Sequence, residues 1–382
     1  MDSAYIVVPA LILLITILTT YFSIRRMVSL SAKTYGRGRK ATERIMLSVL
    51  VLLAIAVAGN STYNAIALLV FLATHLPLGK LYSVHGHKMQ LYCVGSGEPT
   101  IVLEPGLGPA TDVLSWSSLQ PKLARTTRVC SYDRAGLGWS EPRTGPSDAD
   151  QIAADLHDLL ALAQVSGPIV LMGTSYGGIY IRDYTAHFRA DVAGLVFVDS
   201  STPFQEERFQ ALAGQSHQPR PAGRLAMLSA VCFLGAPRLL GWCGKPVPGL
   251  ESRLGEALGE DACVPHYEGL KELLSMAQSS TEAARAGPLG DLPILIFSHD
   301  PANVLAMQNP LPPWAAREKL WNEMQEELKG LSTRSRRIIA KGSGHGICVD
   351  REDLILREVP LFLDQIRGAA PEPADYGSTT VE

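Results

Sequence analysis

Two long uncharged stretches open the chain. Ser3 to Ile24 carries no charged residue, and Tyr5 to Phe22 is almost wholly Ile, Leu, Val, Ala and Thr. At about 1.5 Å of rise per residue, a helix over 4–24 is long enough to cross a hydrocarbon core, which needs roughly 20 residues. The second stretch, Ile45 to Gly79, is interrupted by Gly59-Asn60-Ser61-Thr62. A span over 45–66 fits it best. That leaves 67–78 as an apolar segment lying at the interface or packed on the soluble part. From Leu81 onward short β-branched runs alternate with segments of helical period. The runs are Met89 to Val94, Thr100 to Leu103, Arg128 to Tyr132, Ile169 to Met172, Leu195 to Val198, Ile294 to Phe297 and Arg337 to Ala340. Such alternation predicts an α/β domain on a mostly parallel sheet. Between Ser200 and Asp291 it stops, and the Gly- and Pro-containing helical segment at about 201–290 reads as a cap inserted between two core strands. The tail 369–382, rich in Pro, Ser, Thr and acids, is expected to be disordered.

Charge orients the membrane region. Arg25, Arg26, Lys33, Arg37, Arg39, Lys40 and Arg44 lie between the apolar stretches against Glu43 alone, and short basic loops stay on the cytoplasmic side. The expected arrangement is a hairpin with both ends outside and the large domain extracytoplasmic; a third span would reverse it. A cleaved signal peptide competes for the first stretch, but it requires positive charge ahead of the apolar run, where only Met1 and Asp2 stand. The bilayer is thus an expected partner. The length of 382 residues fits one large α/β domain plus this appendage. With a net charge of -3 and no long basic run beyond residue 44, nucleic acid is excluded as a partner.

The six cysteines, Cys93, Cys130, Cys232, Cys243, Cys263 and Cys348, show no CxxC pair and no metal-ligand spacing with histidine. No metal site is expected. A disulfide among Cys232, Cys243 and Cys263 is one reading, and buried free thiols the other.

The strongest local signal is Gly173-Thr174-Ser175-Tyr176-Gly177-Gly178, directly after the apolar run Ile169 to Met172. A serine hydroxyl becomes a nucleophile when a tight strand-to-helix turn exposes it beside a base and near oxyanion donors. The base is expected in Lys341-Gly342-Ser343-Gly344-His345-Gly346, a small-residue loop after the last strand candidate. Strand C-termini are where such sheets gather their active sites, so the acid should also end a strand. Asp300, just past Ile294 to Phe297, is preferred, and Asp199, after Leu195 to Val198, is the rival. His299 reads as a neighbour in the pocket wall or a surface residue. The oxyanion donors are expected to be the backbone N-H groups of Leu107, in the loop Glu104-Pro105-Gly106-Leu107-Gly108, and of Tyr176.

With these motifs assembled, the chain from about Leu81 to Ile366 resembles the α/β-hydrolase fold family. Tyr132-Asp133-Arg134-Ala135-Gly136-Leu137-Gly138-Trp139-Ser140 is similar to that family's DRxGxGxS loop. The resemblance implies an eight-stranded sheet with a helical cap over the site, and it places the serine, acid, histidine and oxyanion roles on the positions named. One departure is Glu104-Pro105-Gly106, where many members carry His-Gly. With serine at the elbow, the aspartate-nucleophile routes of epoxide hydrolases and haloalkane dehalogenases are set aside. The expected activity is cleavage of an ester or related acyl bond without cofactor or metal. Perhydrolysis, C-C bond hydrolysis and a non-catalytic membrane-anchored binding protein are the alternatives. The cap residues Met227, Leu228, Val231, Cys232, Phe233, Leu234 and Trp242 suit an apolar substrate, or else pack the cap onto the core.

Overall fold

The computed structural model describes residues 4–32, 34–107, 112–214, 231, 234–243, 267–308, 312–373 and 376–382. It divides into two compact units, Met1–Leu76 with Gly223–His266, and Pro77–Ala222 with Tyr267–Glu382.

The first unit contains helices α1 (Ala4–Ala32) and α2 (Arg37–Thr74). Both are long and apolar enough to cross a membrane, and most of their apolar side chains face outward. They form an antiparallel hairpin in which Arg26 Nε donates to Glu43 Oε1 at 2.6 Å and Thr16 Oγ1 to the Ala54 carbonyl at 3.2 Å. The polar break at Gly59 to Thr62 does not end the helix: α2 runs unbroken through it to Thr74, so the expected boundary at residue 66 is absent. The polar residues serve tertiary contacts instead. Asn60 Nδ2 donates to the Leu234 carbonyl, and Arg238 Nε donates to Asn64 Oδ1 at 3.0 Å. Residues 223–266, expected as part of the cap, therefore group with the apolar hairpin. Most of that stretch, including Cys263, and also Met227, Leu228, Cys232 and Phe233, lies outside the described residues. Trp242 is exposed.

The second unit is built on nine strands, β1 (Lys80–Val84), β2 (His87–Val94), β3 (Thr100–Glu104), β4 (Val129–Tyr132), β5 (Ile169–Thr174), β6 (Val192–Val198), β7 (Ile294–His299), β8 (Ser335–Ala340) and β9 (Ser378–Val381). Their order is β1-β2-β4-β3-β5-β6-β7-β8-β9, parallel from β4 onward and antiparallel at β1/β2 and β2/β4. All seven predicted strands are present. The eight-strand expectation is exceeded because the tail, expected to be disordered, supplies β9 beside β8. Backbone pairing with an existing strand edge needs no apolar side chains, so a polar tail can make it.

The central strands are apolar along their whole length because both faces are covered. Val102 and Leu171 point into one core, Ile101, Leu103, Val170 and Met172 into the other. Helices α3 (Ala149–Leu162) and α4 (Gly177–His187) pack into the first core and α9 (Glu352–Ile366) into the second, and the unit also contains α5 (Gln205–Leu212), α6 (Tyr267–Ala284), α7 (Pro301–Gln308) and α8 (Pro312–Glu327).

Cys93 and Cys130 are directly opposed in the β2/β4 register and joined in a disulfide. This pair escapes a search for short Cys spacings because antiparallel pairing, not sequence proximity, brings it together. Cys243 is also disulfide-bonded, and its partner lies outside the described residues. Cys348 is a free thiol that burial pushes up to about 12.

Candidate active site

Ser175 sits at the junction of β5 and α4 with φ of 50°, a left-handed conformation that is uncommon for a residue bearing a side chain. The turn closes only because its flanking residues lack side chains. A Cβ on Gly173 would meet the Gly177 carbonyl oxygen at 2.7 Å, and one on Gly177 would meet the Glu104 oxygen at 2.5 Å. The backbone N-H of Ser175 donates to the Val198 carbonyl at 3.1 Å, which ties the turn to the end of β6.

His345 arrives from the loop after β8. Its Nε2 lies 3.0 Å from Ser175 Oγ, and its Nδ1 lies 2.5 Å from Asp199 Oδ2. The acid beside the histidine is therefore Asp199 and not the preferred Asp300. Asp199 ends β6, is fully buried and has φ of 45°. Asp300 is turned elsewhere: Oδ1 accepts from Ala302 N at 2.9 Å in the first turn of α7, and Oδ2 from Gly342 N at 3.0 Å. It organises a helix start and the loop that carries His345. The physical reason is that β7 continues to His299, two residues past its predicted end, so the chain turns into α7 at Asp300.

Asp199 collects further donors that sequence reasoning missed. His299 Nδ1 lies 2.8 Å from Oδ2, while the His299 backbone N-H and Trp321 Nε1 donate to Oδ1 at 3.2 and 3.0 Å. Gln325 Nε2 donates to the Ser200 carbonyl at 2.7 Å. Trp321 and Gln325 stand one helical turn apart on α8, an i, i+4 spacing legible in the sequence. Nothing there pointed to the end of β6. Burial would push the Asp199 carboxyl up, but the hydrogen bonds from His299 and His345 more than offset it and hold it well below the carboxylate range. His299, buried between Asp199 and Glu318, is the opposite case: burial disfavours its charge, yet the two carboxylates raise it to about 9.

The loop after β3 approaches the serine closely. A Cβ on Gly106 would stand 3.0 Å from Ser175 Cβ and 3.6 Å from its Oγ. Leu107 follows it and packs against the cluster of Ala149, Ile152, Tyr176, Ile179, Tyr180 and Ala283; Gly108 lies outside the described residues. Arg134, from the DRxGxGxS-like segment, fixes this loop. Its Nη1 donates to Glu104 Oε1 at 2.8 Å and the Pro105 carbonyl at 2.9 Å, and its Nη2 to the Gly106 carbonyl at 2.7 Å. Nε and Nη2 reach Glu272 of α6 at 2.8 and 2.9 Å, and Tyr132 Oη donates to Glu104 Oε2 at 2.5 Å. Glu104 is thus the buried partner of Arg134; burial raises its carboxyl to about 7. Asp133 closes the motif by accepting from Val113 N, Gln90 Nε2 and Trp139 N at 2.8, 2.6 and 2.9 Å.

His299 and His345 both hydrogen-bond to Asp199. Away from them, Asp150 of α3 with Asp183 and His187 of α4 bring donor atoms within 4.8 Å of one another, a set a cation could share. The one sequence signal for it is the i, i+4 spacing of Asp183 and His187.

The profile of the Alpha/beta hydrolase family matches residues 101–358, more than half of the chain. Among curated proteins, an AB hydrolase superfamily protein of Gibberella zeae is 34% identical over 124 residues, 31% of this chain and 37% of that protein. A probable transporter, efuK, of Hormonema carpetanum is 36% identical over 134 residues, 32% of this chain and 19% of that protein. An uncharacterized vacuolar membrane protein of Saccharomyces cerevisiae is 32% identical over 106 residues, 27% and 16% of the two chains. The chain spans less than half the length of these relatives. Among solved structures, a putative lipase from Acinetobacter baumannii superposes with a TM-score of 0.54 at 19% identity, covering 76% of this chain and 92% of that one. Epoxide Hydrolase A from Mycobacterium thermoresistibile gives 0.53 at 19%, covering 75% and 98%. These likenesses concern the fold; the profile match, which spans both Ser175 and Asp199, establishes that the chain belongs to the alpha/beta hydrolase family.

Proposed function

We propose that the chain is a membrane-anchored serine hydrolase that cleaves an ester or related acyl bond through Ser175, His345 and Asp199. The observation that carries this reading is the continuous line from Ser175 Oγ to His345 Nε2 at 3.0 Å and from His345 Nδ1 to Asp199 Oδ2 at 2.5 Å. Ser175 Oγ attacks the acyl carbon as His345 Nε2 takes its proton. Asp199 holds the imidazole with Nδ1 protonated and stabilises the imidazolium that forms. The same proton then passes to the leaving group, and a water activated by His345 releases the acyl chain from Ser175.

The oxyanion is assigned to the backbone N-H groups of Leu107 and Tyr176. Two features support this. Tyr176 follows the nucleophile at the N-terminus of α4. At the other donor, Arg134 holds the Gly106 carbonyl, and in a trans peptide the next N-H points the opposite way. A non-catalytic binding role has no use for a serine, histidine and buried aspartate in this line.

Two long apolar helices whose adjoining ends carry Arg25, Arg26, Arg37, Arg39, Lys40 and Arg44 support a hairpin anchor with the hydrolase domain on the extracytoplasmic side. The Cys93–Cys130 disulfide accords with an oxidising compartment. A cell-permeant fluorophosphonate is expected to label the wild type and leave Ser175→Ala unlabelled; equal labelling of both would remove Ser175 from the mechanism. A membrane-impermeant fluorophosphonate applied to intact cells should label the same serine, and labelling only after permeabilisation would reverse the orientation.

A further inference from the structure

We infer that His299 is a positioning residue of this site, an imidazolium wedged between Asp199 and Glu318 that extends the catalytic line to Ser175–His345–Asp199–His299–Glu318. The inference rests on the serine-hydrolase reading above and deepens it.

The geometry suits the charge. His299 Nδ1 is 2.8 Å from Asp199 Oδ2, and Nε2 is 2.6 Å from Glu318 Oε1. An ionised carboxylate only accepts hydrogen bonds, so both ring nitrogens carry protons. His299, Asp199 and Glu318 are all buried, which leaves the imidazolium no competing water at either end. The groups facing it come from three directions. Asp199 stands at the end of β6, Glu318 and Trp321 project from α8, and His345 reaches the same Asp199 oxygen from the loop after β8. The indole of Trp321 lies nearly parallel to the His299 ring, with centroids 6.2 Å apart at 19°.

The consequence falls on His345. Asp199 Oδ2 serves two imidazoles at once, and its direction toward His345 Nδ1 is fixed by His299 on the other side. While His299 is charged, Asp199 stays ionised and aligned, so it cannot itself take the proton that Ser175 gives up. Once His299 loses its proton, one nitrogen presents a lone pair to a carboxylate. The contact becomes repulsive, and Asp199 or Glu318 must turn away. The line therefore has an upper pH limit set by a residue that touches neither serine nor substrate.

The test uses the full-length chain in detergent and the rate constant for fluorophosphonate labelling of Ser175 between pH 6 and 11, so no substrate need be known. The wild type should show an alkaline fall near the pH at which His299 titrates, about 9. In Glu318→Gln the carboxylate that favours the charge is gone, and the fall should move down by about one unit or more. In His299→Gln it should vanish, with a rate at neutral pH roughly 10²-fold lower, because the acid is no longer held in line. A purely structural role would lower rates or thermal stability and leave the limb in place. Profiles of both variants that superimpose on the wild type after scaling would overturn the inference. Should His299→Gln fail to fold, the shift in Glu318→Gln decides the question. The serine reading fails separately, if Ser175→Ala labels like the wild type. Silence of Ser175→Ala with an unmoved limb removes only the role of His299.

Discussion

Asp199→Asn is expected to slow labelling of Ser175 by about 10³–10⁴-fold, while Asp300→Asn costs at most about tenfold. An asparagine at 199 can present its NH₂ to His345, which then favours the wrong tautomer and leaves no proton acceptor at Nε2. It also receives the imidazolium of His299 without a compensating charge. Among the described residues the Asp300 carboxylate accepts from Ala302 N and Gly342 N. An asparagine keeps one of these with its single amide oxygen and loses the other, at a cost of about 1 kcal/mol. Rate constants for the two variants, measured at one pH with the same fluorophosphonate, separate the candidates. A large loss in Asp300→Asn with little in Asp199→Asn would return the acid's role to Asp300.

Arg134→Met should be the most damaging single change to stability outside the apolar core. The guanidinium is fully buried between Glu104 and Glu272 and also holds the carbonyls of Pro105 and Gly106. Removing it leaves two carboxylates buried without a cation, a loss of about 3–5 kcal/mol. In a domain of this size that lowers the unfolding midpoint by roughly 6–20 °C. Glu104, already raised to about 7 by burial, is the group that would take up a proton in the variant. The deficit should therefore be smaller at pH 6 than at pH 8. The combination Arg134→Met, Glu104→Gln, Glu272→Gln should recover part of the stability, because no uncompensated charge remains. It should not recover labelling, since the Gly106–Leu107 peptide is no longer held. Thermal unfolding of the three forms at pH 6 and pH 8 checks both statements.

The strands, the serine and the histidine were legible in the sequence for local reasons. A strand covered on both faces is apolar throughout, and Ile169 to Met172 and Leu195 to Val198 carry that signature alone. The turn at Ser175 brings chain segments to within a side chain's radius, so Gly173 and Gly177 declare it. What failed was local in another way. The polar break at Gly59 to Thr62 resembles a helix end, yet Asn60 and Asn64 are occupied by Leu234 and Arg238 from a segment some 170 residues away. The polar tail resembles a disordered end, but β9 needs only backbone groups to pair with β8.

The identity of the acid was beyond the sequence for the same reason as the Cys93–Cys130 bridge. Asp199 and Asp300 each follow an apolar run at the same edge of a parallel sheet, and composition gives them equal standing. The length of β7 decides between them: because it extends to His299, the histidine side chain meets Asp199, and Asp300 is spent on α7 and the His345 loop. By itself the sequence determined which serine and which histidine come together and where the first apolar helix begins, since those depend on turns and runs a few residues long. Tertiary structure alone decided which carboxylate stands beside the histidine and what stands behind it, because those contacts join β6, β7, α8 and the loop after β8, whose separation along the chain carries no local signal.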